Sequence, residues 1–256
     1  MLKITFLGTG TSQGIPVIGS DHPVSFSKDP RDKRLRSSIM IEYDSFTFVI
    51  DCGPDFRQQM LRTNCKKLDA IIFTHEHADH TTGIDDVRPF FFRQGKIPIY
   101  LHERVLKSLH ERFAYIFDPK QKYPGAPDFE VNLINKENDF ELFGLNITPI
   151  ESVHLRLPVL GFRIGKFAYL TDVKTISEIE LEKLKELDIL VINSLRYEPH
   201  PSHLNIEEAL DIVDAINPKN TYFTHISHNM GFHKEVCNKL PEFVNLAYDG
   251  LVLEVN

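Results

Sequence analysis

The stretch "FTHEHADHTTGIDD" sets three histidines, His75, His77 and His80, and three acidic residues, Glu76, Asp79 and Asp85, directly behind the apolar run Leu68–Phe73. Imidazole nitrogens and carboxylate oxygens together suit divalent transition metals such as Zn, Mn or Fe. Histidines at i and i+2 cannot share one face of a helix, so His75 and His77 belong on extended or looped backbone where a strand has just ended. Asp79 and His80 are adjacent and are expected to point apart, which makes a single tetrahedral ion shared with His75 and His77 a poor fit. Two neighbouring ions, about 3.5 to 4 Å apart, accommodate the cluster better but need ligands from distant parts of the chain. Three candidates share the placement of His75: His154 ends "PIESVH", Asp172 ends "FAYLTD" and His225 ends "NTYFTH". Taken singly, each is as easily a satisfied structural residue; their common placement behind apolar runs makes them ligand candidates, because loops at strand ends are where a rigid scaffold holds functional groups.

The elements that must position these side chains alternate along the chain. "LKITFLGTG" and "SSIMIEYDSFTFVIDCGPD" read as strands around turns, "DFRQQMLRT" as a helix with Phe56, Met60 and Leu61 on one face, and "LDAIIFTH" as a short buried strand. "HERVLKSLHERFAYIF" has helical periodicity and stops at the Pro- and Gly-rich "PKQKYPGAPD". "DFELFGLNITPIESVH" and "LGFRIGKFAYLTD" read as paired strands, and the last third holds two helix-then-strand units, the second with Asn205 as N-cap. No repeat or low-complexity linker divides the 256 residues, so one domain over 1–256 is expected, an α/β fold with two sheets between helical layers.

Composition narrows the function classes. No apolar segment approaches the roughly 20 residues needed to cross a bilayer and no leader opens the chain, so a soluble, cytoplasmic protein without a membrane partner is expected. Three cysteines, Cys52, Cys65 and Cys237, at unrelated spacings suit reduced, buried thiols. A net charge of −7 disfavours a broad nucleic-acid surface. Gly8 and Gly10 in "LGTGTSQG" do not match a dinucleotide fingerprint and are expected to permit tight turns beside the metal loop. Arg31, Lys33, Arg34 and Arg36 could attract phosphate or merely anchor a loop, and His102 and His110 fit a solvated helix face.

"HEHADH" followed by His154, Asp172 and His225 closely resembles the metallo-β-lactamase fold superfamily over nearly the full chain. The resemblance implies a four-layer αββα sandwich holding two divalent transition-metal ions. His75, His77 and His154 would hold one ion, Asp79, His80 and His225 the other, with Asp172 as the bridge. Lactamases of this fold typically depart at His80 and at the bridging Asp, whereas phosphodiesterase and RNA-processing branches keep the whole set. "GTGTSQGIPVIG", "DPRDKRLRSS", "IDCGPDFRQQ", "GIDDVRPF" and "LTDV" further resemble the PhnP-type group. That group's phosphoribosyl 1,2-cyclic phosphate phosphodiesterase implies a small or cyclic phosphodiester as substrate, attacked by a metal-bridging hydroxide. By position relative to His225, His203 matches the histidine expected to protonate the leaving group, while His200 has no assigned role. Asp79 and His203 are the candidate catalytic residues. The group's structural zinc is expected to be lost, because Ser20, His22 and Ser25 replace its three cysteines and serine is a poor zinc ligand; His228 would be the remaining histidine. A thioester or lactone hydrolase and an RNA 3′-processing nuclease are the alternatives, nucleic acid being the less expected partner, with a homodimer left open.

Overall fold

In the computed structural model, which describes residues 1–256, the alternation of apolar side chains sorts the strands into two sheets. Strands β1 (Leu2–Gly8), β2 (Ser38–Tyr43), β3 (Phe46–Ile50), β4 (Ala70–Ile72), β5 (Ile97–Leu101) and β6 (Phe129–Leu133) lie in the first. Strands β7 (Phe140–Leu142), β8 (Leu145–His154), β9 (Leu157–Ile164), β10 (Phe167–Tyr169), β11 (Thr175–Ile176), β12 (Ile189–Asn193), β13 (Asn220–Thr224) and β14 (Val244–Leu246) form the second. The last, β15 (Val252–Val255), returns to the first sheet beside β1, giving the order β15-β1-β2-β3-β4-β5-β6. The second sheet runs β11-β8-β9-β10-β12-β13-β14, with β7 paired to β8.

Successive residues of a strand face opposite sides. Ile39 and Ile41 of β2, Phe48 and Ile50 of β3 and Ile72 of β4 therefore meet Phe162, Ile164, Tyr169 and Val191 in a core between the sheets. Met40, Val49 and Ile71 face outward beneath α1 (Phe56–Arg62), the four-residue α2 (Ala78–Thr81), α3 (Arg88–Gln94), α4 (Glu103–Arg112) and α5 (Ala114–Phe117), whose Phe56, Phe90, Val105, Leu109 and Ile116 complete a second core. On the far side α6 (Glu178–Glu182), α7 (Ile206–Ile216) and α8 (His233–Cys237) cover Leu190, Ile192 and Phe223 through Leu181, Val213 and Val236. The layers are thus αββα, as the resemblance implies. No helix is long and apolar enough to cross a membrane.

Several local expectations are corrected by packing. The helical run from His102 breaks at Phe113, whose φ of −126° and ψ of 46° separate α4 from α5. Leu61 does not share the buried face of Phe56 and Met60 but is 64% exposed. Only Cys52 is buried among the three free thiols, Cys65 and Cys237 being partly exposed. The capping box at Asn205 is present, with Glu208 completing it.

Strand direction decides where the site lies. Strands β3, β4, β5 and β6 are mutually parallel, as are β10, β12, β13 and β14, and β8 runs the same way as β10 because both are antiparallel to β9. Their carboxyl ends therefore open at shared edges, and backbone bonds tie the edges together. Leu160 N–H donates to Thr74 O at 3.1 Å, and Thr11 and Ile226 exchange contacts across the sheets through Thr11 N–H to Ile226 O at 3.0 Å and Ile226 N–H to Thr9 O at 2.9 Å.

Candidate metal centre

Each expected ligand leaves the end of one of these strands. His75 follows β4, His154 ends β8, Asp172 follows β10 and His225 follows β13. Asp172 and His225 take left-handed backbone, with φ of 59° and 54°, a conformation in which Asp and His are enriched among non-glycine residues and which clusters at functional sites. The loop carrying His77, Asp79 and His80 lies hard against the turn after β3, where a Cβ at Gly53 would sit 2.0 Å from Asp79 O. Gly8 has a similar reason to be glycine: it needs close approach, a Cβ there meeting Arg36 O at 1.9 Å, rather than the tight turn expected.

The side chains converge. His75 is 4.6 Å from His77 between ring centroids, His77 is 5.2 Å from His154, and His80 stacks at 5.8 Å on His225. Asp79 and His80 do not point apart. Both lie in the single turn of α2, and Asp79 Oδ2 approaches His80 Nε2 at 3.2 Å and His225 Nε2 at 3.6 Å. Asp172 stands in the middle, with Oδ2 3.2 Å from His80 Nε2 and Oδ1 3.4 Å from His225 Nε2 and 3.7 Å from His203 Nδ1. Three sets of ligand atoms lie within 4.8 Å of one another: His75, His80 and Asp172; Asp79, His80 and His225; His154, Asp172 and His203. Asp172 belongs to two of them, the position a bridging carboxylate needs. Glu76 and Asp85 stay outside, Glu76 lying 4.0 Å from Arg104 and Asp85 accepting from Arg88 and Tyr115.

Hydrogen bonds behind the cluster set the histidine tautomers. Asp51, fully buried after β3, takes Thr74 N–H at 2.9 Å and the Thr74 hydroxyl at 2.8 Å, and its Oδ2 lies 2.6 Å from His80 Nδ1. His80 therefore carries its proton on Nδ1 and turns the Nε2 lone pair inward. The Thr74 hydroxyl, spent on Asp51, accepts from His75 Nδ1 at 3.0 Å, and the Ser202 carbonyl accepts from His154 Nδ1 at 2.7 Å. Nε2 of His75, His80 and His225 is buried without a hydrogen-bond partner. Buried imidazole nitrogens facing two carboxylates are groups that a cation would satisfy, and the nitrogen and oxygen donor set fits divalent transition metals.

Charge within the cluster follows the same geometry. Burial works against ionised Asp172, but the imidazoles of His225 and His80 hold its pKa well below the usual carboxylate range. Burial also disfavours charge on His80, and the carboxylates of Asp79, Asp51 and Asp172 outweigh it and raise its pKa. Burial, with His225 alongside, pushes His203 down to about 3.

Asp51 is the contributor that sequence reasoning missed. It carries the same signal as the ligands, an acidic residue directly behind an apolar strand. Because it acts through His80 rather than on an ion, Asp51→Asn is expected to lower metal affinity by roughly 10- to 100-fold while the protein stays folded. Competition with a chelator measures this, and unchanged affinity would show that His80 needs no carboxylate behind it.

The basic residues after position 30 anchor loops rather than face a phosphate. Arg34 is buried, donating to Thr9 Oγ1 at 2.7 Å, Arg31 pairs with Asp29 at 2.7 Å and Arg36 with Asp55 at 3.1 Å. His102 caps α4 by accepting from Arg104 N–H.

Ser20, His22, Ser25 and His228 are where the expected zinc loss is judged. His22 and His228 meet edge to face at 5.2 Å, but Ser20 Oγ accepts from His22 N–H and Ser25 offers only a buried hydroxyl. Two imidazoles without thiolates make a weak site. The double substitution His22→Ala and His228→Ala is expected to leave the metal content per chain unchanged in elemental analysis; loss of one tightly held zinc would overturn this.

A family model described as "Beta-lactamase superfamily domain" matches residues 47–226, a span that includes Asp51 and all seven expected ligands. The chain superposes on the crystal structure of a diphosphatase from the PhnP family with a TM-score of 0.93 and 41% identity, covering 100% of this chain and 98% of that one. It is 40% identical over 252 residues to an octanoyltransferase of Porphyromonas gingivalis, which is 98% of this chain but 51% of that protein. A ribonuclease Z of Methanosarcina acetivorans is 33% identical over 105 residues, 40% of this chain and 29% of that protein. The chain thus spans about half of the first of these curated relatives and under a third of the second.

Proposed function

The chain belongs to the metallo-β-lactamase superfamily and to its PhnP-like group, and from this premise we propose that it is a metal-dependent hydrolase that cleaves a small or cyclic phosphodiester resembling a phosphoribosyl cyclic phosphate. The observation that supports the reading is the gathering of His75, Asp79, His80, His154, Asp172 and His225 at one edge of the sandwich with His203 among them, His77 lying outside the three ligand-atom sets but with its ring 4.6 Å from His75 and 5.2 Å from His154. Within that gathering, His80 and Asp172 are the informative pair. Branches of the family that open lactam rings depart at those two positions.

His75, His77 and His154 would hold one divalent ion and Asp79, His80 and His225 the other, with Asp172 shared. When bound, such a pair supplies Lewis acidity at phosphoryl oxygens and lowers the pKa of a water. The chain's own residues orient and carry protons. Asp51 and Ser202 hold the His80 and His154 rings with Nε2 inward. His203, buried beside Asp172, is placed to protonate the departing alkoxide; its ring is neutral in the free protein, and the negative charge of a bound phosphodiester favours its protonated form.

A second reading, hydrolysis of a diphosphate linkage, is supported by the full-length likeness to a diphosphatase. Octanoyl transfer is stated of a protein twice as long, so an acyl thioester enters only as a comparison substrate. A panel of cyclic phosphodiesters, bis(p-nitrophenyl) phosphate, diphosphates, an RNA precursor, thioesters and lactones, run with Zn- and Mn-loaded protein, tests the proposal. Turnover of phosphodiesters is expected. Turnover confined to diphosphates would move the assignment to the second reading, and turnover confined to thioesters or lactones would end both.

A further inference from the structure

Between Arg196 and Asn205 the chain crosses the rim of the site as a loop held largely by its own hydrogen bonds. The Arg196 guanidinium donates to the carbonyls of Glu198 at 3.3 Å and Pro199 at 3.1 Å, and Asn205 Nδ2 donates to Tyr197 O at 3.0 Å. Leu195 N–H to Leu204 O and Leu204 N–H to Val173 O, both 2.9 Å, fasten the loop next to Asp172. A segment fixed this way presents its side chains with little ordering left for a ligand to impose.

The loop delivers two histidines to one place. His203 is buried against Asp172, and His200, partly exposed, lies 5.2 Å away between ring centroids at an interplanar angle of 35°. His200 Nδ1 accepts the Ser202 N–H at 3.3 Å and lies 3.1 Å from Ser202 Oγ. A backbone N–H can only donate, so Nδ1 is an acceptor and the neutral ring carries its proton on Nε2. That Nε2–H makes no hydrogen bond within the chain. Arg196 and Lys174 are the formal cations nearby, and after burial itself they disfavour added positive charge on the ring. An N–H donor left without a partner in the chain, on a partly exposed ring fixed through its Nδ1, suits an anionic oxygen.

We propose that His200 is a substrate-binding residue whose Nε2–H donates to a non-bridging phosphoryl oxygen, seating the phosphate between the metal centre and the rim loop. This rests on the phosphoester reading above. His203 and His200 then divide the work, the inner ring serving the leaving group and the outer ring the phosphate.

The two ring nitrogens provide the test, because Gln can replace the Nε2–H donor and Asn the Nδ1 acceptor. Binding of inorganic phosphate to metal-loaded protein, measured by calorimetry, is expected to weaken roughly tenfold in His200→Ala and His200→Asn. In His200→Gln it should stay near the wild-type value, with metal content unchanged in all three. On a phosphodiester, KM should rise in the Ala and Asn variants with kcat little altered. Rescue by Asn but not Gln, or loss of metal from the Ala variant, would assign His200 to holding Ser202 and His154 and overturn the proposal. Equal phosphate affinity in all variants, or no phosphate binding by the wild type, would overturn it as well. Failure of every phosphodiester in the substrate panel would instead strike the functional reading, leaving the phosphate titration to judge His200.

Discussion

Asp172→Ala is expected to reduce turnover by at least roughly 10³-fold and to lower the number of divalent ions held per chain. Both oxygens of this carboxylate face imidazoles, Oδ2 toward His80 and Oδ1 toward His225 and His203, so its removal deprives both expected half-sites of their common ligand. A metal pair stabilises transition-state charge by several kcal/mol, and each 1.36 kcal/mol is a factor of ten in rate, which sets the scale of the loss. Asp172→Asn keeps the shape while removing the charge and should fall nearly as far, separating ligation from packing. Elemental analysis and rate are read on the same preparations. Two ions per chain at full activity in the Ala variant would remove Asp172 from the centre.

His203→Ala is expected to keep both ions and lose roughly 10²- to 10⁴-fold in rate on diesters whose leaving group is a poor alkoxide. A p-nitrophenolate departs without protonation, so the same variant should be impaired far less on bis(p-nitrophenyl) phosphate. The gap between substrates is the signature of proton donation. Equal losses on both, with metal retained, would make His203 a phosphate-positioning group, and loss of metal would make it a ligand, consistent with its ligand atom lying within 4.8 Å of those of His154 and Asp172.

The candidate ligands are legible because their signal is local. A short apolar run ending in His or Asp is visible at His75, His154, Asp172 and His225 without knowing which strands are neighbours. The layers were legible for a similar reason, since strand alternation and helical periodicity are properties of short windows. Asp51 shows where that stops. It ends an apolar run as the ligands do, yet its role exists only because strands β3 and β4 are parallel neighbours, which brings it 2.6 Å from an imidazole 29 positions away. The Ser202 carbonyl that orients His154 leaves no mark in the sequence at all, since every residue has a carbonyl. The sequence leaves Arg34 open between a phosphate and a loop anchor, and the fold decides for the anchor by burying it where Thr9 Oγ1 and the Ala247 carbonyl satisfy its guanidinium. Asp79 and His80, which adjacency alone would turn apart, converge because their chain coils into one turn against Gly53 and a third ring, His225, arrives from the other sheet. Residue types and short spacings thus determine which groups can bind metal and which elements carry them. Tertiary structure alone decides which nitrogen would face an ion and which charges share a site, because those depend on partners that only strand order and loop closure bring within hydrogen-bond distance.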